Sequence, residues 1–246
     1  NQRIISANQT LSIKKSKNHN SLISSLYNSS SSGKKNFASA NKIPNLLLIP
    51  SLSDISTNIR VLGQFQITYI IAQNEKGLLL IDQCSLHQRL IYDTFFEAIQ
   101  KKEVHVENFK NSLLLELSPQ ESGVLEQNLE NLSLSGFAIS PFGGRSFSVS
   151  SIPNILAKDH TIKVISAIIN RLKFLGEDKH VEEIQSYIAI TTAEFTSIKK
   201  GQVLEFTEME CLIAQWESLG SPIYSLHNTP ILVEISTQEI EKRLRL

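Results

Sequence analysis

The sequence predicts an α+β fold, a main body with a small subdomain inserted into it, and three observations carry that prediction. Apolar residues recur with period two near residue 61 and with helical spacing soon afterwards. Helix-start signatures recur at Ser118, Thr207 and Ser236. Strands and helices follow one another in blocks rather than in strict alternation, which favours α+β over a parallel α/β sheet.

The first element runs from Val61, with Phe65, Ile67, Tyr69 and Ile71 on one face and Gln64, Gln66 and Thr68 on the other. "QNEKG" supplies a polar turn ending at Gly77, and "LLLI" returns as a buried strand, which makes a hairpin. After Asp82 the spacing becomes helical, with Ile91, Phe95, Ala98 and Ile99 on one face. "LLLEL" is a strand, and Ser118, Pro119 and Glu121 then open a helix that is expected to run on to Gly136. "GFAISPFGGRSFSVSSIP" alternates on both sides of Gly143–Gly144 and predicts a second hairpin. Asp159 is expected to open a helix with Ile165, Ile168, Ile169 and Leu172 on its apolar face, stopped by Gly176. A further helix is expected over about 178–192, then one capped by Thr207 and Glu210. "PILVEI" is a late strand, followed by a short helix capped by Ser236 and Glu239.

The 246 residues are 41% hydrophobic, enough for one substantial core or two small ones. Zero net charge hides an asymmetry. Residues 1–53 contain no Asp or Glu and carry +7, which leaves −7 on the remainder. The tract is rich in Ser, Asn and Lys and buries too little apolar surface to offset backbone ordering, so 1–53 is expected to be a flexible linker. Its lysines suit weak, sequence-independent phosphate contact or plain solubility. "NLLLIPSL" at 45–52 is expected to dock onto the body. The body is assigned to 54–104 and 156–246, and the insert to 105–155. Cys84 and Cys211 form no disulfide framework and suit a reducing compartment. No apolar run reaches membrane-span length or forms a signal peptide, and the start at Asn1, inside a low-complexity tract, suggests a piece of something longer.

"GQFQITYIIAQNEKGLLLIDQCSLHQRLIYD" resembles the C-terminal domain of the MutL family of DNA mismatch-repair proteins. The resemblance continues through "LELSPQE", "GFAISPFGG" with "SIP", "AEFTSIKKGQVLEFTEMECLIAQWES" and "HNTPILVEIS", in the family's order over about 61–246. Many members carry a latent endonuclease there, with the metal motif Asp-Gln-His-Ala, two residues, Glu, four residues, Glu. Carboxylates and imidazoles hold a divalent cation that polarises phosphate and activates water. Here Asp82 and Gln83 match, while Cys84 replaces the His, Gln88 the first Glu and Asp93 the second. The family's Ala-Cys falls on Ala193–Glu194, and its Cys-Pro-His-Gly-Arg-Pro falls on "SLHNTP", which keeps His227 and puts Ser225 at the Cys. An amide brings no charge to offset a dication. The stretch therefore resembles a metal site's scaffold with the chemistry removed, and Asp82, Cys84, Glu194 and His227 are the only candidates for a residual metal site. Asp82 is also a natural helix cap near Ser85, and His87 is expected on the solvated helix surface.

The resemblance implies a homodimer, with 54–104 and 156–246 as dimerisation subdomain and 105–155 as external subdomain. Interface candidates are Phe65, Ile67, Tyr69, Leu79, Ile81, Ile91 and Phe95, whose alternative role is ordinary core. It further implies a cytoplasmic, nucleoid-associated repair protein that meets the mismatch-recognition protein MutS and a separate nuclease or helicase. ATP and magnesium belong to an N-terminal domain outside this chain, so no cofactor is expected here. "VENFKNSLLLELS" lacks the Gln and Pro with which active members dock the replication clamp. The competing reading is a metal-dependent nicking endonuclease with a divergent site.

Overall fold

The computed structural model describes residues 58–175 and 180–245. The basic tract, "NLLLIPSL" and Gly176 lie outside the described residues.

Strands β1 (Arg60–Phe65), β2 (Tyr69–Gln73), β3 (Gly77–Asp82) and β7 (Leu232–Ser236) form an antiparallel sheet in the order β1-β2-β3-β7. The period-two run is therefore two strands rather than one. Gln66 and Ile67 turn the chain between them with φ of 50° and 49°, and Thr68 N–H donates to Phe65 O at 3.1 Å. Ile67 is β-branched and pays a steric penalty in this left-handed conformation, so nothing in the local sequence announces the turn. Gly77 is required for a different reason: a Cβ there would strike the Ile235 carbonyl across the β3–β7 pair.

Helix α1 (Gln83–Lys101) follows β3, and α6 (Phe206–Ser218) lies beside it under the same sheet. Ile70, Ala72, Leu79 and Ile81 face inward and meet Leu86 and Leu90 of α1 and Leu212, Ile213 and Trp216 of α6. Trp216, wholly buried, donates its indole N–H to Pro222 O at 2.8 Å, which satisfies its one polar atom.

A second antiparallel sheet, in the order β4-β6-β5, is built from β4 (Val106–Glu116), β5 (Ala138–Gly143) and β6 (Ser146–Pro153). The hairpin across Gly143–Gly144 forms as the sequence predicts. The helix expected from Pro119 to Gly136 is broken at Asn128 into α2 (Pro119–Gln127) and α3 (Leu129–Leu134), and Asn128 donates its side-chain N–H back to Val124 O at 2.8 Å. This sheet has its own core, in which Leu115, Phe147 and Val149 meet Leu125, Leu132 and Phe137. That core reaches past residues 105–155. Val164, Ile165, Ile168 and Ile169 of α4 (Thr161–Leu172) and Ile188 of α5 (Val181–Thr196) belong to it.

Helix α5 also packs along α1, where the Tyr92 hydroxyl bonds the Ser186 hydroxyl at 2.9 Å and Gln100 donates to Gln185 at 2.9 Å. Two helix starts differ from expectation. Asp159 sits in a 3-10 turn ahead of α4 rather than capping it. Helix α6 begins two residues early, because Glu205 and Glu208 form the capping box in place of Thr207 and Glu210. The terminal helix α7 (Thr237–Leu244) starts as predicted, with Ser236 accepting from Glu239 N–H at 3.2 Å.

Candidate functional site

The motif residues lie where β3 passes into α1. Asp82 ends the strand in extended conformation and its Oδ1 accepts from Ser85 N–H at 2.7 Å, which satisfies one orphan donor of the helix start. Gln83 is completely buried. Its Oε1 accepts from Gln64 at 2.7 Å, and its Nε2 donates to the carbonyls of Gln202 at 3.0 Å and of Ile67 and Lys199 at 3.4 Å. Gln83 thus ties the strained Gln66–Ile67 turn and the 199–202 loop to the start of α1.

Cys84 is half-buried and receives a hydrogen bond from Gln88 Nε2 at 3.5 Å. Burial, and next the Asp82 carboxylate, push its thiol pKa up against the opposing pull of Lys199 and Lys200. His87 departs from expectation. It is partly buried, and its Nδ1 accepts from Ile198 N–H at 3.0 Å. Burial, then the nearby Lys199 charge, lower its pKa, which keeps the imidazole neutral. Asp93 binds Arg89 at 2.7 Å, and Arg89, itself buried, donates to Tyr224 O at 3.0 Å.

Glu194, in the last turn of α5, faces Arg171 at the end of α4. Arg171 Nη2 donates to both carboxylate oxygens at 3.3 and 3.0 Å, and Nη1 donates to Thr191 Oγ1 at 3.0 Å. His227 Nε2 lies 3.4 Å from Glu194 Oε1. Burial works to raise the Glu194 pKa, but the His227 and Arg171 contacts outweigh it and hold the carboxyl below its usual value. Ser225 is buried and organises the following turn: its Oγ bonds Thr229 Oγ1 at 2.7 Å and accepts from the N–H groups of His227 and Thr229, each at 3.2 Å.

The family's metal does not fit these residues. One Asp82 oxygen caps a helix, the Cys84 sulfur accepts from the Gln88 amide, the Glu194 charge is matched by Arg171, and Ser225 is committed to its own turn. Among the described residues no three His, Cys, Asp or Glu side chains are grouped to hold an ion. Of the four residual candidates, Glu194 and His227 lie within 3.4 Å of one another, and the Asp82 carboxylate acts on the Cys84 thiol. Sequence reading missed Arg171 because Glu194 comes from another helix, and it passed over the i,i+4 spacing that pairs Arg89 with Asp93.

Three interface candidates are corrected. Leu79 and Ile81 are 0% exposed in the first core, and Phe95 of α1 is also buried. The run "LLLI" has no alternation from which the inward pair could be told. Ile91 is half-buried and lines a shallow groove between α1 and α6 with His87, Thr94 and Leu219. Phe65 and Ile67 are 47% and 43% exposed, and Phe65 stacks on the half-buried Tyr69. Register places Ile71 beside Leu80, Leu80 beside Val233, and Leu78 beside Ile235, all half-buried and on the face opposite the core.

Two antiparallel sheets, each with its own helices and apolar core, define a two-core α+β domain in which Asp82, Gln83, Glu194 and Ser225 are engaged in internal bonds. Residues 62–204, more than half of the chain, match the family described as the MutL C terminal dimerisation domain, and the chain belongs to that family. Relatives bear the name DNA mismatch repair protein MutL. That of Clostridium perfringens (strain 13 / Type A) is 30% identical over 187 residues, 76% of this chain and 28% of the relative. That of Halothermothrix orenii is 32% identical over 187 residues, 74% of this chain and 28% of the relative. That of Clostridium tetani is 28% identical over 209 residues, 84% of this chain and 34% of the relative. The chain therefore spans about a third or less of the length of these relatives. Among the described residues no helix is long and apolar enough to cross a membrane.

Proposed function

We propose that this chain pairs two copies of a mismatch repair protein and offers a docking body to other repair factors, while incision is left to a separate nuclease. The observation that carries the pairing is the outer face of the first sheet. An antiparallel sheet with one free face normally alternates apolar inside with polar outside. Here Ile71, Leu80 and Val233 form an apolar row on the free face, continued by Leu78, Ile235 and the Phe65–Tyr69 stack. A second copy would cover that surface. Dimerising at this end raises the effective concentration of whatever the two chains carry beyond it. A MutS-type mismatch-recognition protein and a separate nuclease or helicase are the partners the family resemblance implies.

The silent-nuclease part rests on the donor atoms. Each ligand-type side chain of the motif is engaged in an internal bond or is uncharged, as described above. The test is nicking of supercoiled plasmid by the full-length protein across a manganese titration, with Asp82→Asn alongside. Equal, background levels of relaxed circles from both proteins support the proposal. Nicking that Asp82→Asn abolishes would establish the competing reading, a divergent metal-dependent endonuclease.

A further inference from the structure

The misfit of the metal has a counterpart in Arg171, which neither the motif nor the proposed function uses. Glu194 occupies the last turn of α5, where unpaired carbonyls make an additional negative charge unfavourable. Its side chain is largely withdrawn from water, 22% exposed. A carboxylate in such a place needs a cation. Here a guanidinium contacts both carboxylate oxygens and reaches the Thr191 hydroxyl, which in turn donates to Tyr187 O at 2.8 Å. His227 approaches Glu194 Oε1 as well, and the Lys199 ammonium donates to the Glu194 main-chain carbonyl.

We infer that Arg171 is the resident cation of this site and stands electrostatically where a divalent ion would, so that the former metal centre is a permanent strut needing no ligand. The strut's span gives it a purpose. Arg171 ends α4, whose apolar face lies in the second core. His227 belongs to the turn between Ile223 and Ile231, both in the first core. The Arg171–Glu194–His227 chain of polar contacts therefore links the two cores and holds one against the other. A flexible lysine would do this poorly, since it offers one point charge where the planar guanidinium offers several donors in fixed directions.

The test is a double-substitution cycle in the full chain at fixed protein concentration, read by thermal melting and by hydrogen exchange at 223–231. Arg171→Met should lower Tm by about 3–5 °C, since it leaves a partly buried carboxylate unmatched. Adding Glu194→Gln to Arg171→Met should recover at least half of that loss, and Arg171→Lys should fall between wild type and Arg171→Met. Exchange at 223–231 should rise in Arg171→Met and return towards wild type in the double variant. Additive losses in the two single variants would overturn the inference, because they would mean that the groups act independently. A manganese- or zinc-dependent rise in wild-type Tm that Glu194→Gln abolishes would also overturn it, because Glu194 would then be a metal ligand. If Arg171→Met does not accumulate as folded protein, Arg171→Lys with Glu194→Gln supplies the same cycle. Plasmid nicking and oligomeric state are separate readouts, so failure here is distinguishable from failure of the proposed function.

Discussion

At the scale of single residues, the two matching letters of the metal motif have structural occupations. Asp82 caps a helix, as its position before α1 suggests, and Gln83 is a buried junction serving three segments. Replacing Gln83 by Leu keeps the volume but removes its bonds to Gln64 Nε2 and the Gln202 carbonyl, which keep only their bond to one another at 2.9 Å. Each lost hydrogen bond costs about 0.5–1.5 kcal/mol net, so Gln83→Leu should lose about 1–3 kcal/mol in urea unfolding with an unchanged m value. A loss under 0.5 kcal/mol would show that water replaces those bonds and that the junction is dispensable. Residue-scale reading of the sequence succeeds where a role is local. The Asp82 cap and the Ser118–Glu121 box need only neighbours within one turn. It fails for His87, Arg89 and Arg171, whose partners Ile198, Tyr224 and Glu194 arrive from distant parts of the chain. The residual four-ligand set fails for the same reason: spacing in a motif states which residues are near one strand end, not which counter-charge a neighbouring helix brings.

Secondary-structure elements show where periodicity is informative and where it misleads. Capping chemistry set the start of α2, and its consequence can be tested by pH. The Ser118 hydroxyl donates to Glu121 at 2.7 Å and the Ser118 N–H at 3.0 Å, with Lys173 at 3.2 Å. The hydroxyl bond above all, then the backbone N–H, hold the Glu121 carboxyl at about 2 against an ordinary 4.5. A pKa depressed by folding contributes stability that is present above the unfolded value and is lost as pH falls through the folded one. The melting-temperature gap between wild type and Glu121→Gln should therefore be constant above pH about 4.5 and narrow steadily as pH falls toward about 2. A gap that stays constant on acidification would show that the box acts through shape rather than charge. The β1–β2 turn gives the opposite lesson. Its period-two pattern runs unbroken through Gln66 and Ile67, because neither is a residue that marks a left-handed turn. The reversal is fixed instead from outside, by Gly201 N–H donating to Ile67 O at 2.9 Å and Gln83 N–H donating to Thr68 O at 3.2 Å.

For the whole molecule the open question is which surface meets the second copy, and two apolar features compete. The outer face of the first sheet spans four strands. The groove between α1 and α6, with Ile91 and Leu219, is narrower and bordered by His87 and Thr94. A standard dimer buries about 800 Å² on each partner, which a four-stranded face supplies more readily than one groove between two helices. A lysine placed mid-face would be desolvated without a partner, a cost of several kcal/mol that weakens association at least 100-fold. Leu80→Lys should accordingly give monomers by sedimentation or light scattering with the fold intact, because Leu80 points away from the core. Leu79→Lys, one residue earlier and wholly buried, should instead unfold the chain. The two neighbours thus separate interface from core by strand alternation alone, the distinction that the uninterrupted run "LLLI" hides in the sequence. Ile91→Lys should leave the dimer in place. If Ile91→Lys yields monomers while Leu80→Lys stays dimeric, the partner sits on the helical groove, and the apolar sheet face must be covered by something other than a second copy.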